Sequence, residues 1–175
     1  MNLNELIFKI EQWAEDRNII KGSKPIDQAM KLFSEFGELA DNVGKGRDCR
    51  DDIGDIFVVL TIMAAQLNLD INTVNGELLS EKDWLHDQLK RRVAVLGYSL
   101  FMFVNDLSKT RLELCVVNLL QISNINGYAL EECVQVAYDD IKNRHGYMKN
   151  GIFIKISDMT EIEREEYQKS INDRP

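Results

Sequence analysis

Four carboxylates, arranged as two pairs on either side of a short turn, constrain this chain more than any other feature. The pairs are Glu35 with Glu38 and Asp52 with Asp55, and each has the spacing i, i+3 that places both side chains on neighbouring parts of one helix face. Between them, residues 43–48 read VGKGRD, a turn-rich stretch that predicts two helices folding back antiparallel. At a rise of about 1.5 Å per residue, both pairs lie at a similar height above the turn. The four carboxylates therefore face one another across a helix gap, where unpaired charge is costly and a divalent cation would relieve it.

The composition predicts one globular, helix-rich domain covering residues 1–175. Hydrophobic residues make up 45% of the chain and charged residues 29%, which is ordinary for a globular protein and sufficient for a core at this length. The sequence has only two prolines and little strand-like alternation. Its net charge of −8 argues against nucleic acid or an anionic membrane as the main partner, because both attract basic surfaces.

Targeting signals and cysteine usage point to a cytoplasmic protein. The longest apolar runs, near residues 56–65 and 93–104, are too short to span a bilayer. The N-terminal sequence MNLNELIFKI lacks the basic region and cleavage site of a signal peptide. Cys49, Cys115 and Cys133 are widely spaced and odd in number, which favours reduced thiols over a disulfide framework or a zinc site.

Apolar spacing predicts an all-α fold, a helical bundle with a short extended segment near the C-terminus. The predicted helices cover residues 3–16, 25–43, 48–69, 81–106, 109–124 and 130–144, and residues 81–106 are either one long helix or two that break at Gly97. An extended piece follows the turn at Asn150 and Gly151, and a last helix follows Thr160, where TEIE resembles a capping box. The first acid pair and the second thus lie in a helical hairpin formed by residues 25–69.

The second helix of this hairpin carries the stronger signal for a bound cation. Asp55 is followed by IFVVLTIMAA, which is apolar almost all round and predicts a buried helix, and both Asp52 and Asp55 continue its apolar face. The start of a helix favours aspartate through its dipole, which accounts for Asp52 without a metal but accounts poorly for Asp55. Glu35 lies at the edge of the apolar half of its helix and Glu38 in the polar half, so a solvated acidic face is an equally good interpretation of that pair.

The second half of the chain resembles the first. Residues 55–68 align without gaps with residues 113–126, so that Asp55 matches Glu113 and Asn68 matches Asn126. This predicts a degenerate repeat over residues 81–145, mainly structural because it lacks the second acid pair. Chance likeness between two buried helices is the open alternative.

An all-oxygen ligand set suits magnesium, or manganese as a substitute, and does not suit zinc. The sequence contains no H-E-x-x-H or Glu-x-x-His arrangement, and His86 and His145 are interpreted as surface or capping residues. The segment GKGRD lacks the spacing of a Walker loop.

The two acid pairs and the end of the chain resemble the MazG-like all-α nucleoside triphosphate pyrophosphohydrolases. The pairs read EFGE at residues 35–38 and DIGD at residues 52–55, with thirteen residues between them. Residues 137–155, AYDDIKNRHGYMKNGIFIK, look like the last helix and tail of phage and bacterial members. The chain departs from the family pattern at Ser34 and Asp52, where glutamate is usual, so Asp52 could contact a metal through water.

The resemblance implies a fold, a reaction and a set of site residues. It implies magnesium-dependent hydrolysis of a (deoxy)nucleoside triphosphate between the α and β phosphates, giving a nucleoside monophosphate and pyrophosphate. Glu35, Glu38, Asp52 and Asp55 would be the metal ligands and catalytic residues, with Glu35 free to orient or deprotonate the attacking water. It also implies a homodimer or a higher homo-oligomer, acting in the cytoplasm of the host if the chain is phage-encoded.

A triphosphate also needs cations and a surface for its base. The predicted substrate contacts are Lys31, Lys45, Arg47, Asn143, Lys149 and Lys155, with Lys142 and Arg144 as further cations. Asn143 is assigned to the sugar or base, and Trp13, Phe33 or Tyr147 could stack on the base. A solvated surface position is the plain alternative for each cation, and a core position for Trp13 and Phe33.

Two other functions stay open at this point. The chain could be a non-catalytic helical module of the same fold that binds a nucleotide or a partner without turnover. It could also hydrolyse another phosphorylated nucleotide. The sequence does not choose between bases or between ribose and deoxyribose.

Overall fold

The computed structural model describes residues 1–73 and 86–172, and within them the chain is mostly helical. This confirms the predicted all-α fold and its short extended segment near the C-terminus. The helices are α1 (Leu3–Asp16), α2 (Ile19–Gly22), α3 (Pro25–Lys45), α4 (Arg50–Leu67), α5 (His86–Asp106), α6 (Lys109–Ile125), α7 (Leu130–Ile141) and α8 (Glu161–Asn172). Strands β1 (Gly146–Lys149) and β2 (Ile152–Lys155) form a hairpin, and short 3₁₀ turns cover Ile71–Thr73 and Ile156–Asp158.

Helix α4 is the centre of the core, as its apolar sequence predicts. It packs against α1, α2, α3, α6 and α7. Ile53, Ile56, Phe57 and Leu60 are fully buried on different sides of the helix. Packing on all sides explains why its apolar residues follow no single stripe. Any ionisable side chain on this helix must therefore find its partner among the packed neighbours.

Helix α4 approaches α7 closely because residue 54 is glycine. A Cβ atom at Gly54 would overlap the carbonyl oxygen of Cys133 and would lie 2.7 Å from the Cβ atom of Ala137. Glycine at the contact lets the two helix backbones come together, which packs Cys133 and Ala137 of α7 against the acidic start of α4.

The helix ends follow local rules, and several of them differ by one to three residues from the predicted bounds. Cys49, not Asp48, is the residue before α4, although the Asp48 carboxylate accepts a hydrogen bond from the Arg50 backbone N–H at 3.0 Å. Helix α7 ends at Ile141 and not at residue 144. The guanidinium group of Arg17 donates to the carbonyl oxygens of Arg144 at 2.7 Å and Lys142 at 3.3 Å, which holds the chain in a turn after the helix.

Of the two predicted alternatives, one helix or two, the described residues form one, because α5 runs unbroken through Gly97. Gly97 instead makes room for the ring of Phe36 on α3, since a Cβ atom there would lie 2.6 Å from its Cζ atom. Residues 81–85 of this predicted helix lie outside the described residues. The repeat over residues 81–145 stays a prediction. When residues 55–68 are aligned with residues 113–126, the two ends of α4 fall within one residue of the two ends of α6.

The C-terminal hairpin is fastened at its turn and along β1. Asn150 and Gly151 have φ values of 52° and 81°, the left-handed conformations that a tight hairpin turn requires. A Cβ atom at Gly151 would overlap the Asp27 carboxylate, so the turn rests on the first turn of α3. Lys149 bridges to Glu163 at 3.6 Å and Glu166 at 3.0 Å on α8.

All three cysteines are buried and free. Among the described helices, none combines the length and the apolar character that a membrane span needs.

Candidate metal and nucleotide site

The first acid pair is split between the interior and the surface. Glu35 is only 3% exposed and forms an ion pair with Lys31, one turn earlier on α3. Glu38 lies one turn later and is exposed. A solvated acidic face therefore describes Glu38 but not Glu35.

Asp52 is held in a polar contact across the hairpin. Its side chain is 7% exposed, and the Asn42 Nδ2 atom on α3 donates to both carboxylate oxygens, at 2.9 and 3.2 Å. Burial raises the pKa of Asp52, the hydrogen bonds from Asn42 oppose this, and the charges of Glu38 and Glu35 raise it further. The first acid pair is therefore close enough across the helix gap to raise the pKa of Asp52.

Asp55 is the most perturbed carboxyl group of the four. It is partly buried, and its pKa is raised to about 7 by burial first and then by the negative charges of Glu35 and Asp51. The positive charges of Lys31 and Arg144 lower the pKa without cancelling these effects. Within the described part of the chain, no hydrogen-bond donor reaches its carboxylate, so an added cation would compensate its charge directly.

The four carboxylates are neighbours but are not gathered into a ready-made metal site. Among the described residues, no group of three or more histidine, cysteine, aspartate or glutamate side chains is arranged to hold a metal ion. Glu35 contacts Lys31 and Asp52 contacts Asn42 instead. The donor set still fits magnesium or manganese in its chemistry, since it consists of oxygen atoms carrying an excess of negative charge.

A cavity of about 350 Å³ lies next to these acids. Helices α1, α3 and α4, the end of α7 and the C-terminal hairpin all contribute to its wall. Much of the lining is apolar: Trp13, Ile19, Met30, Val58, Val59, Ile62, Ile141, Ile152 and Phe153. Its charged lining residues are Asp27, Lys31, Glu35, Asp55, Arg144 and Lys155. An apolar pocket with a few charged groups is the usual form of a small-ligand site, and this volume is near the lower end of the usual range.

Two aromatic rings form part of the cavity wall. Trp13 and Phe153 meet edge to face, with ring centroids 6.0 Å apart and planes at 66°. The guanidinium of Arg17 lies 5.0 Å from the Trp13 ring centroid. The buried Nε1 atom of Trp13 has no hydrogen-bond partner among the residues that the structure describes.

The structure brings two of the six predicted substrate contacts, Lys31 and Lys155, to the cavity wall. The other four lie elsewhere. Lys45 pairs with Asp41 at 2.5 Å on the exposed end of α3, and Arg47 and Asn143 are exposed away from the cavity lining. Lys149 is engaged with α8 as described above. Tyr147 donates to Glu166 at 3.1 Å and lies against Tyr167, and Phe33 packs on the core outside the cavity lining.

Gln28 and Phe153 line the cavity but are not predicted from the sequence, and Arg144 is predicted only as one of the further cations. Gln28 has a readable signal, because it stands one and two turns before Leu32 and Glu35 on a buried face of α3. Phe153 reaches the cavity through the docking of the hairpin, and no local pattern predicts that contact. Arg144 is close enough to Asp55 to affect its pKa because α7 ends early and turns back.

Comparisons with known proteins give one informative match. No family model matches the chain, and no solved structure does so either. The chain is 49% identical over 71 residues to an uncharacterized 18.2 kDa protein in the rep-hol intergenic region of Haemophilus phage HP1 (strain HP1c1). That match covers 39% of this chain and 44% of the phage protein. The chain is thus similar to less than half the length of a phage protein whose description states no activity.

Proposed function

We propose that this protein is a magnesium-dependent hydrolase that cleaves (deoxy)nucleoside triphosphates between the α and β phosphates. The observation that carries the proposal is the placement of Glu35 and Asp55 in the wall of one cavity, with the Asp55 pKa raised to about 7. Perturbed carboxyl groups in a pocket mark functional sites more often than structural ones. The resemblance of the acid pairs to the MazG-like enzymes supplies the reaction class.

Glu35, Glu38, Asp52 and Asp55 are the residues that would hold the metal. Magnesium bound there would neutralise charge on the phosphate oxygens and lower the pKa of a bound water. To bind the metal, Glu35 must give up its ion pair with Lys31. Asp52 must bind the metal while it still accepts hydrogen bonds from Asn42. Manganese is the expected substitute, because it accepts the same oxygen ligands.

Three cations in the cavity wall would bind the triphosphate: Lys31, Arg144 and Lys155. Lys31 pairs with Glu35 and Arg144 with Asp140, so phosphate oxygens would replace carboxylates around these groups. Glu35, once released by Lys31, is the carboxylate assigned to orient or deprotonate the attacking water. The apolar part of the cavity would receive the base, against the side chains of Trp13 and Phe153.

Release of pyrophosphate tests the proposal directly. Purified protein is incubated with magnesium or manganese and a panel of ribo- and deoxyribonucleoside triphosphates, and products are separated by ion-exchange chromatography. We expect monophosphate and pyrophosphate in equal amounts, and loss of this turnover in Asp55→Asn with an unchanged helical spectrum. Orthophosphate as the product would indicate a different phosphorylated substrate. No product from any nucleotide with either metal would reject the enzyme.

A second candidate is a nucleotide-binding module without turnover. The observation in its favour is that Lys31 and Asn42 already occupy two of the four carboxylates, and that no ready-made metal group is found among the described residues. Binding of nucleotide without pyrophosphate release would support this candidate. Full magnesium-dependent turnover would exclude it.

The proposed assembly is a homodimer or a higher homo-oligomer. In its favour, α5 exposes Val95, Tyr98 and Phe101, which recur every three residues and have 45%, 63% and 56% of their surface accessible in the single chain. Sedimentation equilibrium would show a dimer mass, and Tyr98→Glu would lower it to the monomer mass. We place its action in the cytoplasm, and the match to a phage protein supports the cytoplasm of a host cell.

A further inference from the structure

Gln28 is a buried polar side chain in the wall of the cavity. It belongs to the second turn of α3, is 8% exposed and lines the cavity together with Glu35 and Asp55. Buried amide groups normally satisfy both their oxygen and their nitrogen atoms. Among the residues that the structure describes, the contacts of Gln28 satisfy the nitrogen atom and not the oxygen.

The hydroxyl group of Ser23 fixes which way the Gln28 amide points. Its single proton is donated to the carbonyl oxygen of Ile19 at 2.7 Å, so its oxygen atom can only accept from other groups. The Nε2 atoms of Gln28 and Gln66 both lie 2.9 Å from this oxygen. Gln66 Nε2 also lies 3.1 Å from the Ser23 carbonyl oxygen, which again requires the amide nitrogen on that side. A flipped Gln28 would place its carbonyl oxygen against an oxygen that has no proton to give.

The Oε1 atom of Gln28 is therefore left as an oriented hydrogen-bond acceptor. No donor from the described residues reaches it, and it is not among the fully buried unpaired atoms, so part of its surface stays accessible. Gln28 is also a lining residue of the cavity, where a ligand could reach this acceptor. The apolar neighbours of the cavity offer this acceptor no partner, so a ligand that supplies a donor gains a hydrogen bond there.

We infer that Gln28 selects adenine and cytosine nucleotides by accepting, at Oε1, a hydrogen bond from the amino group at C6 of adenine or at C4 of cytosine. The inference rests on the proposed nucleotide function and names the base class for the same cavity. Uracil, thymine and hypoxanthine present a carbonyl oxygen at the equivalent position, which would face the Gln28 oxygen without a proton between them. Their ring N–H is recessed beside that carbonyl, so an acceptor that approaches it also approaches the carbonyl oxygen.

The rest of the cavity agrees with a planar base as the occupant. Trp13 and Phe153 provide aromatic surface, and Val58, Val59 and Ile62 provide flat aliphatic surface on α4. Lys31, Arg144 and Lys155 lie in the same wall, where the phosphate end of the ligand would be held. A site built to bond a donor rejects an analogue lacking it, because the buried acceptor is then left unpaired.

Calorimetric binding to the full chain tests the inference without requiring turnover. The probes are adenosine 5′-monophosphate against purine riboside 5′-monophosphate, and cytidine 5′-monophosphate against its 2-pyrimidinone analogue. Each pair differs only by the amino group. We expect removal of the amino group to weaken binding about tenfold in at least one pair, the effect of leaving one buried acceptor unpaired. Equal affinities within both pairs, or no binding of either amino-bearing monophosphate, would overturn the inference.

Two variants locate the effect at Gln28. In Gln28→Leu, the advantage of the amino-bearing ligand should fall to about twofold or less, whereas Gln12→Leu, the same change on an exposed position of α1, should keep it. An advantage that persists in Gln28→Leu would contradict the assignment. The comparison within wild type stands even if Gln28→Leu does not fold. Binding with amino preference but no pyrophosphate release would reject only the proposed reaction, and turnover without amino preference would reject only the role of Gln28.

Discussion

Glu35 on α3 and Asp55 on α4 line the same cavity, and burial together with the negative charge of Glu35 raises the pKa of Asp55 to about 7. Lys31 pairs with Glu35, so one cation serves two neighbouring carboxyl groups. Asp55 is consequently held between its neutral and charged forms near physiological pH. A bound divalent cation would shift that balance to the charged form, which couples metal binding to proton release.

The raised pKa of Asp55 predicts a specific pH dependence of stability. An unfolded aspartate has a pKa of about 3.9, so the folded state binds this proton more tightly. The corresponding stabilisation is complete below about pH 4 and is lost as the pH rises through about 7, in the absence of divalent metal. Asp55→Asn removes this loss, so the variant should be more stable than wild type at pH 8 and similar to it near pH 4. Urea unfolding at a series of pH values measures the difference.

A matched control separates this effect from the other titrating groups. Asp16→Asn makes the same chemical change on the exposed end of α1. Its unfolding free energy should follow that of wild type across the pH range. Parallel curves for wild type and Asp55→Asn would show that Asp55 does not have the raised pKa.

Magnesium should stabilise the folded protein through the carboxylates of the hairpin. A ligand that binds only the folded state at a hundred times its Kd adds about 2.7 kcal/mol. We expect millimolar magnesium at pH 8 to raise the Tm of wild type, and Asp55→Asn and Glu35→Gln to lose most of that increase. Sodium chloride at equal ionic strength is the control for screening. An equal increase in wild type and both variants would place the metal elsewhere.

Much of the fold follows from the sequence by local physics. The bounds of α1 are those predicted, since Asn2 and Glu5 form a capping box at its start. The buried character of α4 follows from its apolar composition. Gly97 is the opposite case, because its role is to accommodate the ring of Phe36 from another helix. A glycine required by a distant side chain and a glycine that breaks a helix look the same in one sequence.

The candidate site also has one part that the sequence predicts and another part that it does not. The acid pairs are readable because their spacing and their apolar surroundings are local properties. Lys45 and Lys155 are not distinguishable in sequence, yet only Lys155 reaches the cavity, because the hairpin turn docks on Asp27 and carries β2 across the opening of the site. Contacts of this kind depend on tertiary packing, and the spacing of residues in the sequence does not predict them.

The cations of the cavity wall should affect substrate binding, and those outside it should not. Lys155→Met removes a charge from the cavity wall and should raise the KM for the triphosphate roughly tenfold, the effect of one charge-assisted hydrogen bond. Lys45→Met is the matched control, because Lys45 pairs with Asp41 on the surface. Lys31→Met should lower kcat as well, since it also removes the partner of Glu35. Equal KM values for Lys155→Met and wild type would contradict the assignment of the phosphate site.

The close approach of α4 and α7 gives a prediction on stability. Gly54→Ala places a methyl group against the Cys133 carbonyl oxygen and the Ala137 side chain, so the two helices must separate. Overpacking of this kind should lower the free energy of unfolding by about 3 kcal/mol. Because α7 leads to Arg144, the same change should also lower the affinity for the triphosphate. Urea unfolding and KM measurements on one preparation would show both effects.

The control for this change is the same substitution at an open helical position. A Cβ atom at Gly37, within α3, would meet nothing within 4 Å. Gly37→Ala should therefore stabilise the protein by about 0.5–1 kcal/mol, because alanine loses less conformational entropy than glycine on forming a helix. A similar loss of stability in both variants would mean that the overlap at the α4–α7 contact does not determine the effect. Stabilisation by Gly54→Ala would show that the helices are not in close contact at this point.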